Sequence, residues 1–124
     1  MRLYQLKNLF LPRKTNLMKI DINETLANML LAIKGEVSDS WPEVKSTMNE
    51  FLNRRKSRFE LISEMALKGE LSGDALSSRM QDEKQLLEVE LHSIAIITKA
   101  IAQNAANAAL DVFNKAIQTA IGII

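Results

Sequence analysis

The chain has a single histidine and no cysteine, so the chemistry it can carry is narrow. Without cysteine there is no disulfide framework, thiolate zinc site, iron–sulfur cluster or thiol nucleophile. His92 has Glu88 four residues before it, and no second histidine exists to complete the paired Glu-x-x-His set of a helical di-iron site. It reads as a boundary residue beside Glu88, with neither a ligand nor a catalytic role. The carboxylates cluster as Asp82-Glu83 and as Glu88 and Glu90. General acid–base work needs such groups held in a pocket with their pKa values pushed apart. At helical spacing they are expected to face water instead, with Asp82 and Glu83 within reach of Arg79. Gly69 and Gly73 bracket a turn without the lysine and Ser/Thr of a phosphate-binding loop. The expectation is a non-enzymatic protein with no catalytic residue, metal or cofactor.

Arg54-Arg55-Lys56-Ser57-Arg58 is the densest run of charge. Guanidinium groups fork onto phosphate oxygens, which makes Arg54, Arg55 and Arg58 the candidate anion contacts. A competing reading keeps them inside the molecule. A helical hairpin turning at residues 69–72 would set 54–58 opposite 83–87, so the basic run would face Asp82, Glu83, Glu88 and Glu90. That reading is preferred, and it argues against nucleic acid as the partner.

Charge is also segregated along the 124 residues, whose sum is only +1. Residues 1–20 carry Arg2, Lys7, Arg13, Lys14 and Lys19 and no acid, a sum of +5. Leu3, Leu6 and Phe10 share one side of that segment and Pro12 stops it, the pattern of an interfacial amphipathic helix. With the apolar Ile121-Gly122-Ile123-Ile124 end, it supports an alternative function, a peripheral membrane-associated protein of lysis type. Leu9-Phe10-Leu11 is too short for a secretory signal, and no apolar run is long enough to span a bilayer. The expected location is the cytoplasm or a virion, with a membrane surface as the alternative. Met18-Lys19-Ile20-Asp21 reads as a second natural start, so residues 1–17 form a separable basic segment and 18–124 a single helical domain.

The elements that must position these residues are all helical. Asp21 and Glu24 have capping-box spacing, Leu26, Met29, Leu30 and Ile33 make one apolar face, and Gly35 supplies a stop. Helix A is therefore expected over 22–34. Ser40-Trp41-Pro42-Glu43 opens helix B, and Val44, Met48, Phe51, Leu52, Phe59, Ile62 and Ala66 continue it over 41–68, closed by Gly69. Ser72 caps the third helix, with Leu71 and Leu76 at the spacing of a hydrophobic staple. From Gly73 to Ile121 there is no proline and no further glycine, and Leu76, Met80, Leu87, Leu91 and Ile94 lead into Ile101, Ala105, Ala108, Val112 and Ala116 as a near-heptad, coiled-coil-like stripe. Helix C is thus expected over 73–121, giving an all-α, elongated antiparallel hairpin of B and C with helix A alongside, three-helix-bundle-like. Its length, at about 1.5 Å per residue, exceeds the diameter of a compact domain of this size. Either it breaks without a breaker residue, or its far end needs another cover.

Gln103, Asn104, Asn107, Asp111, Asn114 and Gln118 fall on one arc of that far end, and the rest of its circumference is apolar. Helix A is too short to cover so broad a surface. The expected function is therefore interaction or assembly, by self-association or by docking a partner helix. Ile101, Ala105, Ala108, Val112, Phe113, Ala116 and Ile117 form the candidate interface, most simply that of a twofold homo-oligomer. This architecture resembles that of many small bacterial and phage proteins that build assemblies, a likeness of shape without signature residues.

Overall fold

In the computed structural model residues 20–122 are described, and every regular element among them is helical. Helix α1 spans Ile22–Val37. Its start follows the capping signal: Asp21 Oδ1 accepts from the Glu24 N–H at 3.1 Å. The Thr25 hydroxyl also donates to the Asp21 carbonyl at 2.9 Å. Its end does not follow the sequence signal. Gly35 lies inside the helix, which runs on to Val37 and turns at Ser38, the residue whose φ is +51°. Burial of Val37 in the core accounts for the three extra residues, since an exposed helical glycine costs only about 1 kcal/mol.

A short 3-10 turn, Ser38–Ser40, leads into α2, Trp41–Arg54, with Pro42 in its first turn. Ser40 makes no side-chain capping bond, because the turn carries its backbone into the right-handed helical region (φ −81°) before α2 begins. The single helix expected over 41–68 is interrupted at Arg55 and resumes as α3, Lys56–Leu67. Arg55 N–H is shared between the carbonyls of Phe51 (3.1 Å) and Leu52 (3.2 Å), a bifurcated bond that tightens the chain for one residue. Gly69 does stop this helix. At φ +77° it closes a Schellman turn in which its own N–H bonds the Ala66 carbonyl and the Glu70 N–H bonds Met65 at 2.8 Å.

Helix α4 is Gly73–His92, with Leu71 and Leu76 both buried at its start. The continuous helix expected over 73–121 is corrected here: the chain turns at Ser93–Thr98 and α5 runs over Lys99–Ile121. Neither glycine nor proline makes the break. Ile94, Ile96, Ile97 and Thr98 are β-branched and weaken helix propagation. The Ser93 hydroxyl donates to the Glu90 carbonyl at 2.6 Å. Thr98 Oγ1 then accepts from the Ile101 N–H at 3.2 Å as the N-cap of α5. Ile97 before that cap and Ala102 four positions after it are buried, the spacing of a hydrophobic staple.

The turn lets α5 pack against α1, α3 and α4. The start of α1 meets the end of α5, where residues 20–28 and 112–120 line one cleft together. Ala102, Ala105, Ala106, Ala109, Leu110, Phe113 and Ile117 form the buried arc of α5, and the alanines let neighbouring backbones come close. Phe113 meets Phe59 of α3 edge to face, with ring centroids 4.8 Å apart. Gln103, Asn104, Asn107, Asp111 and Asn114 are exposed, as the polar arc requires.

Two substitutions test this arrangement. Gly35→Ala should stabilise the protein by roughly 0.5–1 kcal/mol, because the site is helical and a Cβ there meets no atom within 4 Å. A loss of stability in urea unfolding would return Gly35 to a left-handed stop. Phe59→Ala should destabilise by about 3–5 kcal/mol, as it removes a ring buried among α3, α5 and their neighbours.

Candidate functional site

An open cleft lies between α3 and α4, lined by Arg55, Arg58 and Ile62 on one wall and by Arg79, Asp82, Glu83, Leu86 and Val89 on the other. The residues on each wall repeat at helical spacing, three, four or seven apart, so the cleft follows the helix axes.

At its floor Arg55 and Glu83 form a forked ion pair. Arg55 Nε donates to Glu83 Oε1 at 3.0 Å and Nη2 to Oε2 at 2.6 Å, the bidentate geometry of a guanidinium on a carboxylate. Arg58 Nε lies 3.7 Å from the same carboxylate. Glu83, expected at the solvent beside Arg79, is instead buried, with a side chain 4% exposed. Arg55 is drawn in with it, to a side-chain exposure of 27%. A buried carboxylate needs a partner, and the guanidinium stem reaches it from the opposite helix. Arg54 extends along the rim, 3.9 Å from Glu90 and 5.8 Å from the Phe51 ring centroid. Each candidate anion contact, Arg54, Arg55 and Arg58, therefore stands within 4.0 Å of a glutamate of α4.

The upper part of the cleft is aliphatic. Leu86 is 45% exposed and Val89 68%, on adjoining turns of α4. The sequence does not single them out, because they lie off the Leu76, Leu87 and Leu91 stripe. They stand out only once the covered face of α4 is known.

The candidate interface on α5 divides in two. Ala105, Phe113 and Ile117 are buried by the chain's own helices, while Ile101, Ala108, Val112 and Ala116 are half-buried. The turn at 93–98 brings the chain's own helices over the first three and leaves the other four partly open. His92 is exposed in the last turn of α4. Among the described residues no group of three or more His, Asp or Glu could hold a metal ion, and no helix is long and apolar enough to cross a membrane. The basic segment 1–17 and the final Ile123-Ile124 lie outside the described residues. Comparison with family models, curated proteins and solved structures finds no match to this chain.

The ion pair makes an asymmetric prediction. Arg55→Met leaves the buried Glu83 carboxylate with only the more distant Arg58, 3.7 Å away, and should cost about 3 kcal/mol. Glu83→Met leaves an arginine that can swing outward, and should cost roughly half as much. The double variant should recover most of the Arg55→Met loss, because matched removal leaves no orphaned charge. Urea unfolding of the four proteins checks this, and strictly additive losses would show that the two groups are not coupled.

Proposed function

We propose that this is a non-enzymatic helical protein that works by association, with a partner helix or with a second copy of itself. What supports the reading is Leu86 and Val89: two large aliphatic side chains, 45% and 68% exposed, in one open cleft beside charged residues. Well-packed helical domains scatter single apolar residues over their surface, but an aliphatic pair in a groove with a polar rim has the anatomy of a contact surface. The interface expected on α5 keeps a smaller part in this reading, through its half-buried Ile101, Ala108, Val112 and Ala116.

Sedimentation velocity on the full chain tests association directly. The weight-average sedimentation coefficient is expected to rise with concentration up to tens of micromolar, or to rise on adding a helical partner peptide. Leu86→Glu with Val89→Glu should hold the protein at the monomer value, whereas Ala108→Glu tests the α5 surface in the same way. A chain that stays monomeric at every concentration and takes up no helical peptide would refute the association reading.

A further inference from the structure

The cleft between α3 and α4 has a chemical bias that its apolar pair alone does not reveal. Residues 20–122 carry 11 bases against 15 acids, so the body of the protein is acidic. Yet Arg55, Arg58 and Arg79, three of the four arginines in that range, line this cleft, and none of the seven lysines does. Arg55 is consumed by Glu83. Arg58 is not: its side chain is 49% exposed, and its nearest carboxylate oxygen is 3.7 Å away on a glutamate already bound twice. Arg79 is exposed and makes no ion pair within 4.0 Å among the described residues. With Arg55 and Glu83 neutralising each other, the rim retains Arg58 and Arg79 against Asp82 alone, a local surplus of one positive charge on a negative body.

We propose that this cleft docks an amphipathic helix of a partner protein, aliphatic on the face that meets Leu86 and Val89 and acidic where it passes Arg58 and Arg79. The inference rests on the association reading and specifies the partner's chemistry. A helix suits the groove for two reasons. The walls are two helices whose contact residues recur at helical spacing, so ridges of a third helix fit between them. From Arg79 to Val89 the wall is about 15 Å long, roughly three turns of a docked helix. Carboxylates suit the rim because guanidinium groups with free forks take them bidentately and in a fixed direction, which a lysine would not do. Asp82 opposes an acid placed directly over it, so the partner's carboxylates should stand above the two arginines and away from α4's middle turn.

Two fluorescent helical peptides of matched length serve as probes, one built from leucine and glutamate, the other from leucine and lysine. Fluorescence anisotropy with the full chain should show the acidic peptide bound at least about tenfold more tightly than the basic one, with the difference shrinking as salt is raised. The Leu86→Glu, Val89→Glu double variant should lose binding of the acidic peptide by about tenfold or more. Arg58→Glu with Arg79→Glu should reverse the preference, and Asp82→Asn should strengthen the acidic complex. All five side chains are at the surface, and the salt response of the unmodified protein needs no variant at all. Equal binding of both peptides, binding that ignores these substitutions, or self-association that buries Leu86 and Val89 would overturn the acidic-helix proposal while leaving association intact. Failure to bind either peptide by a chain that is also monomeric would overturn both.

Discussion

Covering α5 is the constraint on which the rest of the structure depends. Its buried arc is built largely of alanines, and Ala102, Ala105, Ala106 and Ala109 are completely buried. An alanine surface gains little from any one neighbour, because each side chain has only a methyl group to bury. What it permits is close approach, so that the larger side chains of α1, α3 and α4 reach across and pack on one another as well as on α5. Leu110, Phe113 and Ile117 then fill the wider space toward the helix end, where Phe59 meets Phe113. A helix covered on such an arc must have neighbours on several sides, and only a turn before Lys99 brings the chain's own helices into those places.

Most elements can be read from the residues; the breaks between them cannot all be. Asp21 and Gly69 announce an N-cap and a C′ position, and both act as such, because each relieves a local problem of unpaired backbone groups or of a left-handed backbone. Gly35 looks like the same kind of signal and is not one, since the decision there belongs to Val37 and the core it enters. The turn at 93–98 is the reverse case. Its residues carry no breaker, yet Thr98 with Ile97 before it and Ala102 after it has the pattern of a helix start, visible once a helix start is sought there. A stripe of apolar residues that runs through such a turn keeps its period on both sides, which is why periodicity alone joined α4 to α5.

The site was legible in its charges and hidden in its burial. Antiparallel opposition of 54–58 with the acids of the next helix places Arg55 and Arg58 near Glu83, and that is where they are. The charged run around Glu83 points it to solvent, but its spacing from Leu87 puts it on the covered face of α4, and burial follows the spacing. Two charges so placed gain little net stability from each other. Their forked geometry does something a leucine pair would not: it allows one register of α3 against α4 and penalises the neighbouring ones by leaving a buried carboxylate alone.

That register has a consequence for the surface. Arg55 and Glu83 both line the cleft, so the pair is part of its floor and sets the spacing of α3 and α4 at that level. A guanidinium forked onto a carboxylate spans more width than interdigitated aliphatic side chains, which keeps the helices apart at that level. Leu86 and Val89, one and two turns further along α4, are left on the open side with Arg58 and Arg79. The two aliphatic side chains thus stand in one cleft bounded by arginines. An ion pair that adds little net stability in this way shapes the cleft that Leu86 and Val89 line.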